Sequence, residues 1–210
     1  RTYEEVLSVA NRWLNAQDPP VMHVVTRWRL VSRDDSWELL APCLTGLNLD
    51  AFEAVAVKVL EEEDPRYELP PEKRWQAPLY GKVPKYSAQL RAGLAETLAL
   101  MGAKPDGIQD AIGPAQRAER VVQQLLPHGS GWRRWASLSG YLPLLAEAAP
   151  DCFLDALERD LRGPRLELVN LFNQEGDAPF GSSPHAGLLW ALETLAWEPA
   201  WLTRVSLILG

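Results

Sequence analysis

The feature that most constrains this chain is a weak internal repeat of helix pairs. Sliding residues 145–161 (LAEAAPDCFLDALERDL) along residues 193–209 (ETLAWEPAWLTRVSLIL) at an offset of 48 places Phe153 on Trp201, Leu154 on Leu202, Leu157 on Val205 and Leu161 on Leu209. A proline and an acidic residue mark the junction in both copies, Pro150-Asp151 and Glu198-Pro199. Residues 40–60 join at an offset of 101, with Asp50 on Asp151, Phe52 on Phe153 and Leu60 on Leu161. Helix-pair repeats of roughly 40–47 residues belong to HEAT- and armadillo-like solenoids, which bind partners along an extended surface. The competing reading is an irregular all-helical domain. Any two amphipathic helices show apolar matches when slid together, and proline is common at a first helical position. The expectation is therefore an all-α chain, either a HEAT/armadillo-like or an irregular helical solenoid, forming one domain over residues 1–210.

Helical spacing of apolar residues recurs along the chain, and no stretch alternates with the period of a strand. A first helix over residues 2–16 is stopped by Asp18-Pro19-Pro20, and a second is expected from Pro20 to Trp28. Ser32 and Asp35 have capping-box spacing. Asn48 or Asp50 is placed to cap AFEAVAVKVLEEE, whose acidic end opposes the helix dipole and is either solvated or met by a basic neighbour. A strong helix starts at Ser87, with Gly102 as its C-cap; another covers residues 115–126. Trp132 and Trp135, three apart, face the core and leave Arg133 and Arg134 outside. Residues 164–172 form a short helix, and residues 173–184 a polar loop. Ser183 then caps a helix with Pro184 at its first position. That helix, HAGLLWALETLAW, is apolar on nearly all sides and should be buried. Nine tryptophans read as wedges between helices; the expected core includes Leu145, Phe153, Leu157, Trp190, Leu195 and Trp197.

Charge and composition narrow the function classes. A net charge of −7 opposes binding along a phosphate backbone. No apolar run is long enough to span a bilayer, nor does the chain start like a secretory signal. The expected location is cytoplasmic. Both ends look cut from something longer. Cys43 and Cys152, each in an apolar helical context, read as buried thiols rather than a disulfide. His23, His128 and His185 lack metal-ligand spacing, and no glycine-rich phosphate loop occurs. The Ser182, Ser183 and His185 cluster is too local to define a nucleophile and base, which are set by geometry in space. No catalytic, cofactor-binding or metal-binding residue is assigned, and no cofactor is expected.

One segment departs from helical packing. Residues 64–86, DPRYELPPEKRWQAPLYGKVPKY, hold five prolines and four large aromatics with basic residues between them. Prolines this dense exclude a regular α-helix, and the aromatics argue against a solvated linker. The segment reads as an ordered excursion, and Arg66, Tyr67, Lys73, Arg74, Trp75, Tyr80 and Lys82 are its candidate partner-binding residues. Trp, Tyr and Arg anchor interfaces, and stiff backbone loses less entropy on binding. The plainer reading has the aromatics covering the flank of the Ser87 helix. The functional expectation is a non-catalytic helical interaction or sensor module whose partner is a protein or another domain of the same polypeptide. Two alternatives remain. One is a small helical enzyme with a pocket between the excursion and the Ser87 helix. The other is a nucleic-acid-binding module using Arg66, Lys73, Arg74, Lys82, Lys85 and Arg91.

Several strings taken together, SWELLAPCL, YELPPEKRWQAPLYGK, YSAQLRAGLAETLALMG, SGYLPLLAEAAPDCFLDALE and HAGLLWALETLAWEPAWLTRV, resemble an uncharacterised helical region of large multidomain bacterial proteins. Some of those carry an NTPase or effector domain nearer the N-terminus, of the signal-transducing or antiphage-defence kind. The resemblance covers most of the chain. It implies a cytoplasmic helical module and transfers no catalytic motif.

Overall fold

The computed structural model describes residues 3–25, 27–106, 108, 111–163, 167–173 and 183–210, of which 72% are helical. Most of the polar loop expected at 173–184, the start of the short helix expected at 164–172, and Ser182 lie outside the described residues. The backbone divides into two compact units, one of residues 1–45 with 106–109 and one of residues 46–105 with 110–210.

The first unit corrects the all-helical expectation. After α1 (Tyr3–Leu14), the segment read as a second helix forms an antiparallel hairpin of β1 (Val21–Val24) and β2 (Arg27–Leu30), in which His23 faces Trp28. Their rings stack at 4.6 Å. The reason is local: Val21 and Val24 lose rotamer freedom in a helix and fit a pleated ribbon. At the tip, Val25 is held at φ 58°, a left-handed conformation rare for a β-branched residue. Ser32 caps α2 (Arg33–Leu40) by accepting the Asp35 N–H at 3.2 Å, and Trp37 on this helix is buried. Cys43, expected inside, is exposed in the 3₁₀ turn Ala41–Cys43.

The second unit holds α3 (Gly46–Leu60), α4 (Ala88–Ala103), α5 (Pro114–Leu125), α6 (Trp132–Leu138), α7 (Leu142–Ala148), α8 (Pro150–Arg162), α9 (Val169–Phe172), α10 (Pro184–Ala196) and α11 (Pro199–Leu209). Its centre is α7, which packs against α4, α5, α8 and α10. Leu142 and Leu145 from α7 are fully buried with Leu98, Met101, Leu125, Trp135 and Phe153. Two glycines permit close contacts. A Cβ on Gly102 would lie 2.0 Å from the Ala148 carbonyl oxygen, and one on Gly187 1.9 Å from that of Ser139. Gly102 therefore sits inside α4 as a contact point and not at its C-cap. Likewise α3 begins at Gly46, and Asp50 is not its cap but an ion-pair partner of Arg117 in α5 at 2.6 Å. Glu53 holds Arg120 through both carboxylate oxygens at 2.9 Å. Across α8 and α11, Arg204 meets Asp151, Asp155 and Glu158.

Burial does not follow the offset of the repeat. Leu157 and Val205 are both buried, whereas Leu154 is buried and its match Leu202 is exposed. Helix α10 is not buried all round. Gly187, Leu188, Ala191, Leu192 and Leu195 form its inward stripe, and Trp190 lies off it, 66% exposed. Trp197, just beyond the helix, is 81% exposed. The expected core thus holds at Leu145, Phe153, Leu157 and Leu195 and fails at these two tryptophans. The acidic end of α3 does meet basic neighbours. Arg134 donates to the Glu61 carbonyl, and its Nε lies 3.7 Å from the Glu63 carboxylate. Among the described residues no helix is long and apolar enough to cross a membrane.

Candidate functional site

The 64–86 excursion is built from two 3₁₀ segments, Pro65–Glu68 and Pro71–Tyr80. The prolines that forbid an α-helix pre-set the φ these tighter turns use. Asp64 opens the first turn, its Oδ1 accepting the Arg66 N–H at 3.0 Å, while its own N–H donates to Ser137 Oγ at 2.8 Å. Gly81, at φ 68°, closes the second; its N–H and that of Lys82 return to the Pro78 and Ala77 carbonyls. The Glu62 carboxylate then accepts the N–H groups of Lys85 and Tyr86 at 2.7 and 3.3 Å, which steers the chain into the Ser87 cap of α4.

The seven candidate residues separate into two faces. Tyr67 is buried; its hydroxyl donates to the Ala136 carbonyl at 3.4 Å and its ring meets Trp132 edge-on at 5.5 Å. Burial pushes its phenol above the usual value, against the pull of Arg66 and Arg74. Arg74 is half-buried. Its Nε donates to the Leu69 carbonyl at 3.0 Å, and its guanidinium covers the Tyr67 and Trp132 rings at 5.3 and 5.4 Å. These two residues fasten the excursion to α6 and are not free to anchor a partner, because what they would offer is already spent. Lys82 pairs with Glu68, holding that carboxylate below its ordinary range, and Arg66 pairs with Asp64 at 3.0 Å.

Trp75, Tyr80 and Lys73 face outward, the Lys73 ammonium 5.9 Å from the Tyr80 ring centroid. Sequence reasoning missed Leu79 and Val83, both exposed beside them. It weighed aromatic and basic residues and passed over aliphatic ones, although Leu79 and Val83 flank Tyr80 and Lys82 in a stretch that no helical face absorbs.

A cavity of about 410 Å³ lies between the excursion, the start of α4, the 3₁₀ turn Ser139–Tyr141 and the first turn of α10. Arg91, buried in its wall, donates from Nη2 to the carbonyls of Glu62 and Ser137, each at 3.2 Å, and lies over the Tyr141 ring at 5.4 Å. Ser183, at the N-cap of α10, also reaches this wall. Its hydroxyl bonds not to the helix backbone but to His185 Nδ1 at 2.7 Å. The His185 ring stacks on Phe172 at 5.3 Å, and among the described residues no carboxylate orients it. A nucleophile and base without an orienting acid is an incomplete set.

Elsewhere, Cys152 accepts a hydrogen bond from Gln123 Nε2 at 3.3 Å and its thiol is pushed up by burial, the opposite of an activated thiolate. The described residues contain no cluster of three or more His, Cys, Asp or Glu side chains arranged for a metal. No protein-family model, curated protein or solved structure matches the chain.

Proposed function

We propose that the chain is a non-catalytic helical interaction module that docks a protein surface through the outward ridge of residues 73–83. The observation that carries this reading is the exposure of Trp75, Leu79, Tyr80 and Val83, at 64%, 83%, 48% and 60%, within one short segment. A single exposed apolar residue needs no explanation; four within residues 75–83 supply the apolar surface that this reading uses. The backbone beneath them is held by Pro71, Pro78 and the turn hydrogen bonds from the Gly81 and Lys82 N–H groups to the Pro78 and Ala77 carbonyls, so docking orders little that is loose. Lys73 and Lys85, both exposed, give the ridge a basic rim on a chain of net charge −7. The favoured occupant is an apolar protein segment with acidic residues beside it, on another domain of the same polypeptide or on a separate chain. Arg74, half-buried, and Arg91, buried, are both held in intramolecular contacts and are not placed to follow a phosphate backbone.

The test is the double substitution Trp75→Ala with Leu79→Ser. Each side chain is exposed, so the variant should melt within a few degrees of wild type, as surface changes of about 0.5 kcal/mol do. It should also lose the protein that co-purifies stoichiometrically with the wild type from its native source. A variant that unfolds, or one that keeps its partner, overturns the reading.

A further inference from the structure

We propose that the cavity beside the excursion binds a small, flat, uncharged molecule with an aromatic body and an amide or hydroxyl end, its ring covered by Trp190. This inference stands apart from the docking ridge and uses none of its residues.

A volume of about 410 Å³ lies in the lower part of the range for small-molecule sites, about 300–1,000 Å³. The wall is built to keep its shape. Pro84, Pro143 and Pro184 line it, and proline has a fixed φ and no N–H to leave unpaired. Tyr141 is tied down twice: its hydroxyl donates to the Ala88 carbonyl at 3.4 Å, and the Arg91 guanidinium lies over its ring at 5.4 Å. Trp190 differs from these. It is 66% exposed on the same wall, and its indole has no ring or hydrogen-bond partner among the described residues. Its face is left for the ring of a ligand, in the stacked or edge-on contact that aromatic pairs favour.

The charges on the wall decide the charge of the ligand. Three charged residues line it, Asp64, Arg66 and Arg91, and each is already compensated. Asp64 and Arg66 pair at 3.0 Å. Arg91 faces the Glu62 carboxylate at 3.9 Å and donates from Nη2 to the Glu62 and Ser137 carbonyls; its Nε is sealed from solvent and out of a ligand's reach. The Lys85 ammonium, 5.2 Å from the Tyr86 ring centroid, is exposed and lies outside the wall. An ion entering the cavity would exchange its water for a wall without a free counter-charge, which is strongly unfavourable. An uncharged molecule avoids that penalty. The wall can still orient it. The Ser183 hydroxyl makes one bond to His185 Nδ1 at 2.7 Å and keeps a lone pair, and the Tyr86 hydroxyl has no protein partner among the described residues. Such groups pair with an amide or a hydroxyl, and a few of them on a largely apolar wall are what small-molecule sites use for orientation.

The test is a two-dimensional NMR titration of the protein's indole N–H signals with benzamide, phenylacetamide and indole-3-acetamide, each beside its acid and its amine: benzoate and benzylamine, phenylacetate and phenethylamine, indole-3-acetate and tryptamine. Trp190→Phe assigns the Trp190 signal, and Trp75→Phe assigns that of the ridge. At least one amide should shift the Trp190 signal saturably and leave the Trp75 signal in place, with its acid and its amine both about ten-fold or more weaker. Gly140 lines the cavity, and a Cβ there meets nothing within 4 Å, so Gly140→Leu should fill the space, keep the wild-type melting temperature and weaken the amide about ten-fold or more. Trp190→Ala, at an exposed position, should keep the fold and weaken the amide in calorimetric titration. No saturable shift across the panel, an acid or amine that binds as tightly as its amide, a shift at Trp75 alone, or full affinity in either variant would each overturn the proposal.

Discussion

Phe153 and Trp197 are both large aromatics expected inside helical packing, and they lie at opposite extremes. Phe153 is fully buried with its ring edge-on to Trp135 at 5.7 Å, so Phe153→Ala should cost about 3–5 kcal/mol in denaturant unfolding. Trp197→Ala should change stability by no more than about 0.5 kcal/mol. Reversed magnitudes would mean the core is misplaced. Tyr67 gives a pH test. Burial raises its phenol above the ordinary value of 10.0, so the folded state holds the proton more tightly than the unfolded state. That contribution is fully present below the unfolded value and is lost as pH rises through the folded one. The stability gap between wild type and Tyr67→Phe should therefore be constant up to about pH 10 and shrink above it. A gap that stays constant into the alkaline range contradicts a buried, protonated Tyr67. At this scale caps were readable only in part: Ser32 accepts the Asp35 N–H expected of it, whereas Gly102 lies inside α4, Asp50 pairs with Arg117, and the Ser183 hydroxyl turns to His185. The sequence was less readable for burial. Residue type does not reveal which side of an all-apolar helix such as α10 meets a neighbour.

At the scale of elements, three helical glycines separate helix propensity from packing. Gly93 in α4 has nothing within 4 Å of a built Cβ, so Gly93→Ala should stabilise by about 0.5–1 kcal/mol. Gly102→Ala and Gly187→Ala drive a Cβ into backbone carbonyls of α7 and of the Ser139 turn and should lower the melting temperature sharply. Thermal scans of the three variants check the α4–α7 and α10 contacts together; a harmless Gly187→Ala would contradict them. Helix positions were largely legible because apolar spacing and proline starts are local signals, and α5, α8, α10 and α11 all carry proline at the start. The hairpin was not. It has no Asn-Gly or Asp-Gly turn, and its tip residue is a valine in a conformation that sequence rules assign to glycine. The excursion was recognised as ordered and irregular. Its two faces were not, because Tyr67 and Trp75 are alike in composition, and only the position of Trp132 decides which points inward.

At the scale of the molecule, the 64–86 segment has two faces: Tyr67 and Arg74 fasten it to α6, while Trp75, Leu79, Tyr80 and Val83 are exposed and form the proposed docking surface. The exposure of Leu79 has a matched control in Leu207 of α11, 83% against 79%, so solvent access alone cannot separate the two positions. The most direct measurement places a photo-crosslinking amino acid at position 79 or at position 207 and irradiates the protein in its native cell. Docking through the ridge should give one discrete adduct from position 79, lost on Trp75→Ala, and none from position 207. No adduct from position 79, or the same adduct from both positions, would contradict it.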